Sequence, residues 1–373
     1  MVWNFSVTDV LLLLGIGQGF FLSITLPILT NKNSAANQIL ILQLLLSGFI
    51  LLARMALHDA EELWIVQRLA PLESIIFIFG PLGYIYLKRL LQKGQKRFKL
   101  PWFHYLPALV YLVYLLYLGT YSNEEFGQKL IQGYFSDGFF IAELAAILFN
   151  LYYWFLGILF FLKILKKEKE QYSFEQSAIF FVRVLLVTSG VVLFAWTASF
   201  ISVHIFNVFL PVINYNFVWI TIPILIYIVG FFALKQPEIV RVMVTEKPKG
   251  RVRELLNEQG ITLLKQKLTK LMKDEKVYLN NELSLVNLSK QLNTSTNNLS
   301  WLLNTVYNSN FYDFVNEYRI KAFVSKLEQE EHKMKTLFSL SMEVGFNSKS
   351  TFNKAFKSVL NETPSSYIKK LAG

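Results

Sequence analysis

The chain has 373 residues and a net charge of +11, and 53% of its residues are hydrophobic. It contains no cysteine, which excludes disulfides, zinc-thiolate sites and thiol nucleophiles, and its four histidines leave little room for a metal centre. Only 17% of the residues are charged, against about 25% in an average soluble domain. The chain is therefore more apolar and less charged than an average soluble protein.

The first 234 residues contain seven apolar stretches of roughly 20 residues, the length that a helix needs to cross a bilayer. A helix satisfies its own backbone hydrogen bonds in lipid, so seven transmembrane helices are predicted. The stretches are Val7–Thr30, Asn37–Leu57, Leu69–Leu90, Trp102–Thr120, Phe139–Leu162, Ala178–Val203 and Tyr215–Leu234.

The loops between these stretches alternate in charge, which predicts an orientation. Basic loops stay in the cytoplasm. Lys32 follows the first stretch, Lys88, Arg89, Lys93, Lys96, Arg97 and Lys99 end or follow the third, and Lys163, Lys166, Lys167 and Lys169 follow the fifth. The other loops carry Asp59, Glu61, Glu62, Glu124, Glu125 and Asp137. The N-terminus is thus expected outside and the C-terminal segment inside.

Polar residues within apolar stretches are costly in lipid, so they are candidates for function. With the predicted orientation, one group lies near the outer ends of the helices: Arg54, His58, Glu73, Glu143 and His204, with Asn214 and Asn216 at the same level. We expect an outward-facing pocket with an Arg54–Glu73 ion pair that binds an unknown small molecule or envelope signal. The alternative is that these residues are interfacial anchors.

The composition changes after Leu234. Residues 1–234 hold 15 Lys/Arg and 12 Asp/Glu, whereas the remaining residues hold 22 and 14, a net charge of +8. Residues 235–260 contain two prolines and mixed charge, as a cytoplasmic linker would. Ile261, Leu264, Leu268 and Leu271 then form one apolar helix stripe. It belongs either to the first helix of a small domain or to a short coiled coil.

A first helix-turn-helix pattern covers about residues 285–306. Leu285, Leu288 and Leu292 line one helix, and Ser295 is a good N-cap for the next. The second helix buries Leu299, Leu302, Leu303 and Val306. Such a helix can enter the major groove of DNA.

The pattern recurs at about residues 337–359, after a connecting helix within FYDFVNEYRIKAFVSKLE. Gly345 stands where the turn needs a positive φ, and Ser348 or Ser350 can cap the following helix. The buried residues of the pattern are Leu337, Leu340, Met342, Val344, Phe352, Phe356 and Val359. Two such units on one connecting helix are more specific than either alone.

The motifs LSLVNLSKQL, FVNEYRIKAF, EVGFNSKSTFNKAFK and NETPSSY resemble the AraC/XylS family of transcription regulators over about the last hundred residues. The membrane half, with FGPLGYIYLKRL, HYLPALVYLVY and KQPEI, resembles the membrane-bound AraC-type regulators of Bacteroidetes. The implied fold class is all-α. A seven-helix transmembrane bundle (residues 1–234) is followed by a cytoplasmic DNA-binding domain (residues 261–373) with two helix-turn-helix units.

The resemblance implies that both recognition helices contact double-stranded promoter DNA. The second would use Ser348, Lys349, Ser350, Asn353, Lys354 and Lys357, and the first Thr296, Asn297, Asn298, Ser300, Trp301 and Asn304. Asn suits adenine edges, and Lys suits guanine or phosphate. The family usually carries Arg and Lys where Trp301 and Asn304 stand. A purely structural first unit is therefore one alternative, and a merely solvated basic face is the alternative for the second.

The sequence thus indicates a one-component regulator in the bacterial inner membrane, with DNA, the lipid bilayer, the signal and a second copy of the chain as partners. No cofactor or enzyme activity is expected, because no nucleophile-base pair, metal cluster or paired carboxylates stand out. Two alternatives remain. One is a transporter or channel with a regulatory tail, although most ionisable residues lie near span ends and not at the midplane. The other is a receptor whose helical domain binds a protein partner.

Overall fold

The computed structural model describes residues 6–29, 34–58, 63–91, 98–170, 172, 177–208, 215–235 and 258–371. These residues form helices and turns, with no strand among them. The chain divides into two compact units. The first comprises Met1–Phe161 and Ser177–Val244, and the second comprises Leu162–Gln176 and Thr245–Gly373.

The first nine helices supply the first unit, and the last residues of α7 fall within the second. They are α1 (Val7–Leu29), α2 (Ser34–His58), α3 (Leu63–Leu69), α4 (Ile76–Leu91), α5 (Leu106–Leu118), α6 (Asn123–Ile131), α7 (Ser136–Lys169), α8 (Ser177–His204) and α9 (Tyr215–Lys235). A 3₁₀ segment, Ala70–Ile75, joins α3 to α4. Pro71 in that segment fits there because its missing N–H is not needed in a first turn.

Six helical stretches of the described residues are long and apolar enough to cross a membrane. They are Val7–Ile28, Ala35–Ala56, Leu63–Leu91, Ser136–Lys166, Ile179–His204 and Tyr215–Ala233. The fourth predicted span differs, because Trp102–Leu118 is followed by Asn123–Ile131 at an angle of 112°. The expected count of seven therefore holds only if this bent pair is one span.

Two sets of hydrogen bonds shape the bend, one local and one from another helix. Helix α5 ends at Leu118, and the Ser122 hydroxyl accepts a hydrogen bond from the Glu125 N–H and so begins α6. The Gln67 side chain donates to the main-chain oxygens of Leu118 and Tyr121, at 3.1 and 3.2 Å. These bonds satisfy carbonyls that would otherwise be unpaired at the end of α5.

Glycines allow close packing of α1, as small residues do between membrane helices. A Cβ added at Gly15 would lie 2.7 Å from the ring of Pro223 in α9, and one at Gly19 would lie 3.4 Å from the Leu44 oxygen in α2.

The second unit contains the remaining helices. They are α10 (Glu258–Lys273), α11 (Leu285–Gln291), α12 (Thr296–Trp301), α13 (Phe311–Glu328), α14 (Leu337–Glu343), α15 (Lys349–Leu360) and α16 (Pro364–Leu371). Leu264, Leu268 and Met272 of α10 are buried in one core cluster with the leucines of α11 and α12. Helix α10 is thus packed as part of this domain. Most of the predicted linker, residues 236–257, lies outside the described residues.

Candidate nucleic-acid interface

The first helix-turn-helix unit is built on α11 and α12. The hydroxyl of Ser284 caps α11 and that of Ser295 caps α12, each accepting a main-chain N–H bond, at 3.2 and 3.1 Å. Asn293 in the turn has φ of +50°, a conformation that asparagine tolerates better than most residues. Helix α12 continues as a π-helical turn, Leu302–Val306. Leu299 of α12 and Leu302 and Leu303 of this turn are fully buried.

The six residues expected to read DNA in this unit are not equally accessible. Asn298 is only 4% exposed, and Trp301 packs partly against the core cluster. Asn304 is exposed, and its side-chain amide donates to the Ser300 main-chain oxygen at 2.8 Å. Thr296, Asn297 and Ser300 are half-buried. The surface of this helix is therefore small, polar and uncharged between Ser295 and Tyr307.

The second unit is built on α14 and α15. Thr336 caps α14, and Ser348 caps α15 by accepting from the Thr351 N–H at 3.2 Å. Gly345 has φ of +96°, and an added Cβ would lie 2.5 Å from the Tyr278 oxygen. Phe352 and Phe356 fill the core and Val359 packs partly against it, which confirms the expected inner face of α15. Phe346, from the turn, joins the same core. Met342, however, is 51% exposed, because it follows the buried Ser341 on the other side of α14.

Helix α15 presents a basic outer face. Its exposed residues include Lys349, Ser350, Asn353, Lys354 and Lys357. Ser348 is half-buried and bonds to the Thr351 hydroxyl at 2.8 Å. No acidic residue occurs between Ser348 and Asn361, so this face carries three uncompensated lysines on its own helix. A basic, exposed helix with one asparagine between lysines suits phosphate contact and base reading.

Arg319, in the connecting helix α13, is a residue whose importance the sequence analysis missed. Its side chain is fully buried and donates to the main-chain oxygens of Tyr278 and Asn280, both at 2.7 Å. It also donates to Asn316 at 3.2 Å and lies over the Phe346 ring. Burial lowers the pKa of Arg319 to about 10, so it stays charged at neutral pH. Arg319 thereby links the segment before the first unit to the turn of the second.

Four charged side chains form a network where the second helix-turn-helix unit begins. Lys326 of α13 lies 3.0 Å from Glu331 and 2.9 Å from Glu343, and Lys335 lies 3.3 and 2.8 Å from the same two carboxylates. The Lys326 hydrogen bond lowers the pKa of Glu331, and the Lys335 hydrogen bond lowers the pKa of Glu343. The network connects α13 to α14.

In the N-terminal compact unit, which contains α1 to α9, the structure brings together several of the expected pocket residues. Glu143 accepts a 2.8 Å hydrogen bond from the Trp196 indole and lies 3.5 Å from His204. Tyr111 donates to Glu73 at 3.4 Å. Arg54 lies over the Trp219 ring, 5.3 Å from its centroid, and interacts with Glu73 only at longer range. Asn214 and the His58 side chain lie outside what the structure describes.

A cavity of about 680 Å³ runs through this bundle. Glu73 and Glu143 both line it, together with Tyr111, Trp196 and Tyr215. The rest of the wall is largely apolar and includes Leu40, Leu87, Leu186, Ile226 and Val229. Sequence reasoning could not show this cavity, because helices far apart in the chain form it.

Comparison with known proteins concerns the C-terminal part. Residues 288–370, from α11 to α16, match a protein-family model described as a helix-turn-helix domain. No curated protein and no solved structure matches the chain. The matched family is of the AraC type, and the match supports an AraC-type DNA-binding regulator.

Proposed function

We propose that the chain is a membrane-embedded, one-component transcription regulator that binds promoter DNA sequence-specifically and responds to a signal sensed by its transmembrane helices. The observation that carries the proposal is that one chain contains two helix-turn-helix units, one of which has the basic outer face of α15, and, among its described residues, six long apolar helices.

The lipid bilayer is a proposed partner because the helices of the N-terminal compact unit expose large apolar side chains. Ile24, Ile28, Phe155, Val187 and Phe194 are each more than half exposed. Large apolar side chains exposed on three long apolar helices, α1, α7 and α8, suit contact with a membrane or with another protein. The proposed location is the bacterial inner membrane with the C-terminal unit in the cytoplasm, where it can reach DNA.

The proposed DNA contacts are those of α15, of the half-buried polar residues of α12, and of Asn304 in the turn that continues it. Lys349, Lys354 and Lys357 would contact phosphate or guanine, and Asn353 would read a base edge. Helix α13, which connects the units, has 18 residues, or about 27 Å at 1.5 Å per residue. A connection of that length is of the order of one DNA turn, about 34 Å, which suits neighbouring major-groove segments.

The experiment is chromatin crosslinking of the tagged full-length protein in its host. A Lys354→Ala/Lys357→Ala variant should lose the wild-type peaks. A Lys267→Ala/Lys270→Ala variant is the matched control, since it removes the same charge from exposed positions of α10, and it should keep them. Peaks that survive the α15 substitutions would contradict DNA reading by this helix.

One observation favours a second candidate function, in which the C-terminal unit binds a protein. The first recognition helix has no charge, and Trp301 is only partly covered, as on a surface suited to a protein partner. Absence of any crosslinked peak, with a cytoplasmic protein that co-purifies in a Trp301-dependent manner, would support this alternative.

A further inference from the structure

The cavity in the N-terminal compact unit is polar at one end and mainly apolar along the rest of its length. Glu143 and Gly157 of α7 both line it, as do Tyr215 and Val229 of α9. Fourteen residues separate the members of each pair, or about 21 Å along a helix. The carboxylates occur near one end of this length, and the remainder is lined mainly by aliphatic and aromatic side chains. The shape suits an elongated ligand with one polar head.

The polar end is built around two carboxylates in an aromatic frame. Glu143 is held by the Trp196 indole and by His204. Glu73 has only the long Tyr111 bond among the described residues. The buried Tyr215 hydroxyl lines the cavity and interacts with the Glu143 carboxylate, but the two groups are not aligned as in a normal hydrogen bond. Hydrogen-bonding capacity for a ligand therefore remains at this end.

The charge at this end favours a cation. Arg54 lies over the face of Trp219 and interacts with Glu73 only at longer range, and it is not one of the residues that line the cavity. Both glutamates line the cavity directly. An ammonium group can donate charge-assisted hydrogen bonds to carboxylates and is attracted to aromatic faces. An anionic head would meet two carboxylates at close range.

We propose that this cavity binds an amphiphile with a primary ammonium head between Glu73 and Glu143 and an alkyl tail along the apolar length. The volume of about 680 Å³ lies within the roughly 300–1,000 Å³ typical of small-molecule sites. The inference deepens the sensing role proposed above and rests on it, because it gives the chemical class of the signal.

The test uses the full-length protein in detergent and measures saturable binding of labelled dodecylamine, with unlabelled dodecanol and dodecanoate as competitors of equal tail length. We expect dodecylamine to bind at least about tenfold more tightly than either competitor, since only the ammonium group can donate charge-assisted hydrogen bonds to the carboxylates. Glu73→Gln should weaken amine binding by a similar factor. Glu124→Gln, at an exposed position of α6, is the control and should change it less than about twofold.

Equal affinity for the three amphiphiles would overturn the proposal, as would preference for dodecanoate or the absence of saturable binding above empty micelles. These wild-type comparisons decide the matter even if a glutamate variant does not fold, and Glu73→Asp, which keeps the charge, should retain the preference for the amine. DNA binding is measured on the same preparation. Intact DNA binding without a preference for the amine would reject the ligand class alone. A preference for the amine without DNA binding would reject only the DNA-binding role.

Discussion

Arg319 and Tyr278 are joined by a 2.7 Å hydrogen bond from the guanidinium Nε to the main-chain oxygen. Tyr278 precedes the first helix-turn-helix unit, and Arg319 lies in the helix that leads to the second. The same Tyr278 oxygen lies 2.5 Å from where a Cβ on Gly345 would be, so glycine is required at this turn. Three distant parts of the domain therefore meet at one buried guanidinium.

Replacement of Arg319 by alanine should loosen this meeting point. The Tyr278 and Asn280 oxygens would lose their donors, and unpaired buried groups cost about 1–3 kcal/mol each. We expect the free energy of opening of α13 to fall by about 3 kcal/mol, measured by hydrogen exchange on the full-length protein. Lys321→Ala, on the same helix but 67% exposed at its side chain, is the control and should change it by less than about 0.5 kcal/mol.

Arg319→Lys should give an intermediate result, because an ammonium group lacks the planar fork that reaches two carbonyls. Protection of α13 equal to that of the wild type in Arg319→Ala would show that the buried guanidinium does not hold the units together.

The four-charge network predicts that the α13–α14 connection weakens in acid. The pKa values of Glu331 and Glu343 are lowered in the folded state by their lysine hydrogen bonds. The stabilisation is therefore complete above the ordinary carboxyl pKa of 4.5 and is lost as the pH falls through the lower folded values. Hydrogen exchange of α14, corrected for intrinsic rates, should show reduced protection below this range.

A Lys326→Met/Lys335→Met variant provides the control for this pH dependence. Without the lysines the two carboxyl groups have no partner that lowers their pKa, so the acid-dependent loss of protection in α14 should largely disappear. A loss of equal size in the variant would mean that other groups cause it.

The local elements of this fold could be predicted from sequence, whereas long-range ones could not. Ser295 and Ser348 cap their helices as expected, and Gly345 has the expected positive φ, because these features depend on neighbouring residues. The burial of Arg319 depends on carbonyls about 40 residues away. An arginine in a helix with mixed polarity gives no sign of such burial.

The N-terminal part of the chain shows the same contrast. Hydropathy located the apolar stretches, but it did not reveal the bend after Leu118, which depends on the Ser122 cap and on Gln67 from another helix. Hydropathy also placed Glu73 and Glu143 near span ends, although only the structure shows that both line one cavity. The identity of the DNA-reading residues stays a prediction, and the burial of Asn298 makes it the weakest member of the set.

The lysines and the asparagine on the outer face of α15 are expected to affect the salt dependence of DNA affinity differently. Each phosphate contact by a lysine contributes about 0.9 to the slope of log affinity against log salt. Lys354→Ala should therefore weaken binding to all sequences and lower the slope by about 1, whereas Asn353→Ala should leave the slope unchanged and relax base preference. The measurement is fluorescence anisotropy of the full-length protein with a crosslinked site and its single-base variants, at several salt concentrations.

The uncharged first helix supplies the reciprocal test. Asn304 is exposed on it, and Asn304→Lys should raise affinity and steepen the slope by about 0.9 if this helix lies against DNA. Asn281→Lys, which adds the same charge at an exposed position before α11, should have less effect. Equal slopes for wild type and Asn304→Lys would instead place the first unit away from the phosphate backbone.

The absence of cysteine makes the proposed orientation directly measurable. Single cysteines can be introduced at Asn123, which begins α6, and at Ser366 in α16, which is exposed. A membrane-impermeant maleimide should label Asn123→Cys in cells whose outer membrane is permeabilised, because the segment that carries Glu124 and Glu125 directly after it is proposed to face outward. Ser366→Cys should be labelled only after the inner membrane is disrupted. Labelling of this variant while the inner membrane is intact would contradict a cytoplasmic DNA-binding unit. The reversed pattern would place α15 on the side of the membrane where no promoter is available, and the regulator function would fail with it.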